Sequence, residues 1–324
     1  MTPAPSSEPP VSVVLPVMNE QDNIEPLHAS LVHVLQALGR TYELIYVDDG
    51  STDGSWATLR RLGAADPHVT AVRLRRNFGQ TAALAAGFRH ARFPIVITLD
   101  ADRQNDPADI PKLLDALDED TDVVCGWRRH RREPWLTRRL PSLAANWMIR
   151  LLTGVALHDF GCTLRAYRRD ILADINLYGE MHRYLPVLTA WVGARIREVE
   201  VSHRPRQAGV SKYGLLRVGR VVVDLITIKF IGDFSTRPNS VFGGFGLASL
   251  AGATVAFAVT AYRALVLGHV EATPLIFFMV IFFLVGVLSI LIGFLAEIVI
   301  RGLYETQRKA AFYVREVEGP GRSE

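Results

Sequence analysis

Cysteine is nearly absent from these 324 residues, with only Cys125 and Cys162 present. Two isolated thiols give neither a disulfide framework nor a thiolate metal site, and their scarcity fits a reducing compartment. The nine histidines include no His-Glu-x-x-His or comparable ligand spacing, which removes the usual zinc-hydrolase signature. No Gly-x-Gly-x-x-Gly follows the first apolar run and no P-loop occurs, so dinucleotide binding, Walker-type phosphate binding and nucleotidyl transfer are disfavoured. Met1–Pro10 is rich in Pro and Ser without an apolar h-region, so it reads as a disordered start rather than a signal peptide. A net charge of +3 is too small to indicate nucleic acid, and none is expected as a partner. No tandem repeat of useful length is present.

Long apolar runs, in contrast, are present and confined to one end. Val241–Val266 and Leu275–Ile300 are each long enough for a hydrocarbon core of about 30 Å, which takes roughly 20 helical residues. Only eight residues, Leu267–Pro274, separate them, which predicts a helical hairpin. Gly244, Ala248, Gly252 and Ala256 recur every four residues and predict a small-residue face for close helix packing. Arg217, Arg220, Lys229 and Arg237 precede the hairpin, and Arg301, Arg308 and Lys309 follow it. By the positive-inside rule, both termini and the remaining domain are cytoplasmic and the chain is integral to the cytoplasmic membrane. Residues 213–232 place Leu215, Val218, Val222, Leu225 and Ile226 on one helical side and Arg217, Arg220 and Asp224 on another, as an interfacial amphipathic helix does.

Before the hairpin, short β-branched runs alternate with helical periodicity: strands at residues 11–16, 44–47, 69–74 and 95–99, helices at 22–38, 53–63 and 79–91. This predicts an α/β domain with a mostly parallel sheet, whose ligands bind beyond the carboxyl ends of the strands. Three polar loops fall there: Pro16–Glu20, Asp48–Asp53 and Asp100–Gln104. Asp100-Ala101-Asp102 delivers two carboxylates at the end of a buried strand. Carboxylates are hard ligands suited to Mg²⁺ or Mn²⁺, which such sites hold together with substrate phosphates. Asp48, entering a Gly-containing turn, is read mainly as a turn former.

The stretches Val14-Leu15-Pro16-Val17-Met18-Asn19-Glu20, Val47-Asp48-Asp49-Gly50-Ser51-Thr52-Asp53, Arg76-Asn77-Phe78-Gly79-Gln80 and Asp100-Ala101-Asp102-Arg103-Gln104 resemble the signatures of family 2, GT-A-fold glycosyltransferases. With Asp159–Arg169, Ser211-Lys212-Tyr213, the hairpin and the Tyr304…Tyr313 tail, the chain is similar to the polyprenyl-phosphate branch over residues 11–317, dolichyl-phosphate mannose synthase-like enzymes included. Residues 159–169 nearly match the Asp-Tyr-Gly-Cys-x-Leu-Arg-Ala-Tyr-Arg-Arg motif of the enzymes that transfer 4-deoxy-4-formamido-L-arabinose to undecaprenyl phosphate. The resemblance implies a nucleotide-sugar donor, UDP-linked, a divalent metal and a polyprenyl-phosphate acceptor. It implies that Pro16, Glu20, Val47 and Asp49 line the nucleoside pocket, that Asp100, Ala101 and Asp102 complete the donor site, and that Asp100, Asp102 and Gln104 hold Mg²⁺ or Mn²⁺.

On the acceptor side the resemblance implies catalytic roles for Asp159, Asp102 and Arg128, and phosphate contacts for Arg128, Arg206 and Lys212. Asp159 matches a catalytic-base position, but the second pKa of a phosphate monoester is near ~6, so the acceptor oxygen needs little deprotonation and a positioning role is the alternative. Arg128, Arg129, Arg131, Arg132, Arg138 and Arg139 form a basic cluster read as contacting anionic headgroups or lipid phosphate. The organisation read from these features is a catalytic domain at 11–210, interfacial helices at 211–237, a transmembrane hairpin at 238–302 and a cytoplasmic tail at 303–324. A homo-oligomer is implied, a tetramer among its possible states. A processive polysaccharide synthase is the rival enzyme, but its Gln-x-x-Arg-Trp motif is missing; a non-catalytic nucleotide-sugar or lipid-binding scaffold is the rival of another class.

Overall fold

The computed structural model describes residues 8–129, 146, 149–151, 153–173, 175, 177, 181–203, 238–268, 274–306 and 312–320. The expected interfacial helices at 211–237, most of the basic cluster, Arg206 and Lys212 lie outside these residues. The chain divides into two compact units, Met1–Val221 with Ala310–Glu324, and Val222–Lys309.

In the first unit, β1 (Val11–Val17), α1 (Gln21–Ala37), β2 (Tyr42–Asp48), α2 (Ser55–Ala65), β3 (Val69–Leu74), α3 (Gln80–His90) and β4 (Ile95–Thr98) alternate as the periodicity predicts. The strands β5 (Val123–Trp127), β6 (Arg165–Arg168), β7 (Ile196–Glu200) and β8 (Val314–Glu318) complete an eight-stranded sheet in the order β7-β5-β6-β4-β1-β2-β3-β8. β1 pairs in parallel with β2 and β4, β2 with β3, and β5 with β7, whereas β6 runs antiparallel between β4 and β5. β1 and β2 read as near-continuous apolar runs because both faces of a parallel sheet are covered. Val13, Leu15, Leu44, Tyr46 and Ile97 join Ile24, Leu27 and Leu31 of α1 in one core layer. Strands are added to one side from β1 to β3 and to the other at β4, so the crevice expected of such sheets lies at the carboxyl ends of β1 and β4.

Within residues 303–324, expected as a tail, one stretch is a strand. Val314–Glu318 pairs antiparallel with β3 as β8, with a register shift at Arg73/Leu74. Without it β3 would be an unpaired edge, and its central Ala71 and Val72 have no exposed surface.

In the second unit, helices Pro238–Leu267 and Pro274–Thr306 pack against each other. Phe242–Val266 and Pro274–Ala296 are long and apolar enough to cross a membrane. Few of their side chains are buried: Phe277, Leu284, Leu288 and Leu295 are each more than half exposed. The packing face keeps Ala256 and Gly252, the latter facing Phe282, and departs from the expected one at its first two positions. Gly244 and Ala248 are exposed, and the buried residues are Gly246, Ser249, Ala253 and Ala256. A strict four-residue repeat drifts around the helix by about 40° per step, whereas alternating steps of three and four hold one seam toward the partner. A Cβ at Gly246 would lie 2.8 Å from the Gly286 carbonyl and 2.6 Å from Ile290 Cγ1, so the backbones approach where both residues lack side chains.

Candidate active site

The carboxyl ends of β1 and β2 are tied together by their loops. Pro16 faces Val47 across the parallel pair. Asn19 takes a left-handed φ of 57°; its N–H donates to Ser51 Oγ (2.9 Å) and its Oδ1 accepts from the Thr52 N–H (2.8 Å). The Glu20 N–H donates to Ser55 Oγ, and its carboxylate accepts from Asn23 Nδ2 at 2.6 Å. Asp48 serves the turn by accepting the Ser51 N–H (3.0 Å) and pairs with Arg73. Gly50, with φ 73°, lets this loop lie against Arg76 and Asn77, whose backbone a Cβ would meet at 2.6 Å. Asp49 is thereby brought to the turn before α3. Its two carboxylate oxygens accept the N–H groups of Phe78 (2.7 Å) and Gly79 (2.9 Å). Burial pushes its pKa up and these two bonds pull it down, with burial prevailing. Val47, expected in the nucleoside pocket, has no exposed surface, and Ala101 is buried too. These two side chains are part of the core rather than of an accessible wall.

The loop after β4 holds Asp100, Asp102 and Gln104. Arg103 is left-handed at φ 60°, a sparsely populated region for a long side chain. The Asp102 carboxylate accepts the Gln104 N–H at 3.1 Å, and Asp100 accepts from Gln80 Nε2 at 2.7 Å and is bonded by Thr163. Burial of its carboxylate and the negative charge of Asp102 push the Asp100 pKa up to about 7, opposed by Arg128 and Arg165. Among the described residues no group of three or more His, Cys, Asp or Glu side chains forms. The pair nevertheless fits a hard divalent cation: two crowded carboxylates, one of them driven toward its neutral form, mark a place where added positive charge is favourable, and substrate oxygens can fill the remaining coordination positions.

Asp159 lies beside this loop because β6 pairs with β4 and brings the residues before it alongside. Thr98 Oγ1 donates to the Thr163 carbonyl (2.7 Å), and Asn105 Nδ2 to Thr163 Oγ1 (2.9 Å). Asp159 is 2% exposed. It accepts Arg128 Nε (2.8 Å), Arg128 Nη2 (3.1 Å) and the N–H groups of Arg128 and Gly161. Glu198 on β7 accepts the N–H groups of His158 and Asp159 and so fixes the turn from behind. Arg129, next in the basic cluster, pairs with Glu200 and lies over Trp127.

Sequence reasoning gave no role to Gln80, Thr163, Arg165, His182 or Glu198, although the first three lie inside stretches that carried the resemblance. Arg165 is 3% exposed and donates to the carbonyls of Phe160 (2.6 Å) and His182 (3.2 Å). It lines, with Gln80, Asp100, Thr163 and His182, a cavity of about 10 Å³. His182 Nδ1 lies 2.9 Å from Thr81 Oγ1, which also accepts the His182 N–H. Burial and the nearby Arg183 and Arg165 charges pull the His182 pKa down to about 3.

Comparison with known proteins agrees with this geometry. Residues 12–175 match the family described as Glycosyl transferase family 2. The chain is 38% identical over 312 residues to the dodecaprenyl-phosphate galacturonate synthase of Rhizobium johnstonii, covering 95% of this chain and 92% of that one. It is 36% identical over 311 residues to the undecaprenyl-phosphate 4-deoxy-4-formamido-L-arabinose transferase of Edwardsiella ictaluri, covering 95% and 94%. Among solved structures, the glucosyl-3-phosphoglycerate synthase of Mycobacterium tuberculosis, crystallised with Mn²⁺, UDP and phosphoglyceric acid, shares the fold at a TM-score of 0.51 and 21% identity, covering 69% of this chain and 78% of that one. The chain is a glycosyltransferase of family 2, with a GT-A-like α/β fold followed by two apolar helices long enough to span a membrane.

Proposed function

We propose that this protein transfers one sugar from a nucleotide-sugar donor, UDP-linked, to the phosphate of a polyprenyl lipid at the cytoplasmic face of the membrane, with inversion at the anomeric carbon. The observation that carries the reading is the Asp159–Arg128 pair, whose guanidinium is close enough to the Asp100–Asp102 pair to act electrostatically on Asp100. An anionic lipid phosphate and an anionic donor must meet, and this arrangement offers a cation site for one and an oriented guanidinium for the other. Relatives whose names specify dodecaprenyl and undecaprenyl phosphate support the acceptor class. The two apolar helices and the basic residues flanking them support the membrane face.

Asp100 and Asp102, with Gln104, would hold Mg²⁺ or Mn²⁺, which supplies charge neutralisation on the departing nucleoside diphosphate. Asp49, through lone pairs not used by the Phe78 and Gly79 N–H groups, and Glu20 accept hydrogen bonds from the nucleoside, with Pro16 beside them. A lipid-phosphate oxygen attacks the anomeric carbon while the bond to the diphosphate breaks and its electron pair leaves with the diphosphate. Arg128 receives the lipid phosphate together with Arg206 and Lys212. Asp159 fixes the Arg128 guanidinium. With its oxygens engaged by Arg128 and Gly161, it acts as an orienting anion rather than as a base.

Incubating the full-length protein with a panel of UDP- and GDP-sugars, Mn²⁺ and undecaprenyl phosphate tests this reading. One UDP-sugar is expected to yield a glycosylated lipid phosphate and free UDP. Nucleotide-sugar binding with no diphosphate release from any donor overturns it in favour of a binding scaffold.

A further inference from the structure

The turn between β3 and α3 touches both carboxylate groups of the donor site. Phe78 and Gly79 donate their N–H groups to Asp49 at 2.7 and 2.9 Å, and Gln80, the next residue, donates its side-chain amide to Asp100 at 2.7 Å. Three consecutive residues thus set the spacing between the end of β2 and the end of β4, which are separated in the sheet by β1. The left-handed φ of 95° at Gly79 turns the backbone so that its N–H faces Asp49 while α3 starts at Gln80.

The same turn is gripped from its other side by the residues that follow the helical hairpin in sequence. The Arg75 N–H donates to the Tyr313 carbonyl at 2.9 Å. The Tyr313 ring lies 6.2 Å from that of Phe78, within the range of aromatic pairs. Phe312 is buried beneath the Arg89 guanidinium of α3, 5.1 Å from its ring. β8 then continues along β3. The Tyr313 side chain is 60% exposed, with its ring against Phe78.

We propose that the turn Phe78–Gln80 is a bracket that holds the two donor-site carboxylates in register, with Gln80 the positioning residue for Asp100, and that Phe312 and Tyr313 hold the bracket in place. This rests on the donor-site reading above. A fixed amide on one Asp100 oxygen, together with the Thr163 bond, sets the orientation of the carboxylate, as outer-shell partners do at metal sites. A turn released from Tyr313 would let Asp49 and Asp100 shift relative to each other, which weakens donor and metal together.

The test uses the full-length protein in detergent, with calorimetric titration of Mn²⁺ and of UDP in the presence of Mn²⁺, alongside steady-state kinetics. Gln80→Ala is expected to weaken Mn²⁺ binding by about tenfold, the lower end of outer-shell effects. Tyr313→Ala is expected to weaken UDP binding by about threefold to tenfold and raise the donor KM in proportion, with kcat little changed, the signature of lost uniform binding. Tyr313→Phe keeps the ring and is expected to bind as wild type. Wild-type Mn²⁺ affinity in Gln80→Ala, or wild-type UDP affinity in Tyr313→Ala, overturns the inference while the donor-site reading stands. A wild-type protein that binds neither UDP nor Mn²⁺ overturns both.

Discussion

Asp159 shows how burial and pairing set what one carboxylate can do. Its side chain is nearly inaccessible and its charge is matched by a bidentate guanidinium, a geometry that adds direction as well as energy. Asp159→Asn removes the charge that orients Arg128. Its turnover is expected to fall at least about tenfold, the worth of a hydrogen bond to a charged group, and by the same factor from pH 6 to pH 9. Recovery at high pH would instead identify a base. His182 is a second residue with a readable consequence. Its folded-state pKa of about 3 lies below the unfolded value of about 6.5, so between these limits the unfolded chain binds the extra proton. Stability is therefore expected to fall as pH drops from about 6.5 toward 3. Melting temperatures from pH 7 to pH 4 should decline less steeply for His182→Gln than for the wild type. Asp100, Asp102 and Asp159 were legible in the sequence because their residue types and strand-end positions carry the chemistry. Arg165 and His182 were not, since only folding reveals that a guanidinium from β6 and a ring from the 181–184 turn are buried beneath the Asp100 loop.

At the scale of elements, alternating strands and helices were legible because the periods of 2 and 3.6 are written in side-chain polarity. Each of the four leading strands formed within a residue or two of its expected limits. The hairpin was legible as two long apolar runs, but its packing seam was not. In an all-apolar helix nothing in polarity marks the face that meets the partner, and the repeat of small residues pointed to a face through Gly244 and Ala248. The structure selects the one through Gly246 because Gly286 lies opposite. Gly246→Leu is expected to lower the detergent-solubilised melting temperature, with a cost of about 1–3 kcal/mol from overpacking. Gly244→Leu, which meets nothing within 4 Å, is expected to leave that temperature within a degree or so of wild type, since surface substitutions stay within about 0.5 kcal/mol. Equal effects of the two would place the seam elsewhere.

For the whole molecule, the last strand has the largest consequence. β8 closes the β3 edge of the sheet although more than two hundred residues of sequence lie between them. Removing residues 312–324 exposes the β3 backbone groups and strips the cover from the Phe78–Gln80 turn. Such a truncation is expected to lower the melting temperature and to promote self-association, read by scanning fluorimetry and light scattering, because an uncovered edge is a template for pairing. An unchanged melting temperature would show that β8 adds nothing to the sheet.

The sequence by itself determined the parallel α/β sheet, the strand-end acidic loops, the two membrane-length helices and the glycosyltransferase class, because period, polarity and local motifs are properties of neighbouring residues. Tertiary structure alone decided that Asp159 is locked to Arg128, that Gln80 ties Asp100 to the Asp49 loop, and that the C-terminal segment returns to the sheet. Those contacts join residues far apart in the chain, and their existence depends on which strands lie side by side.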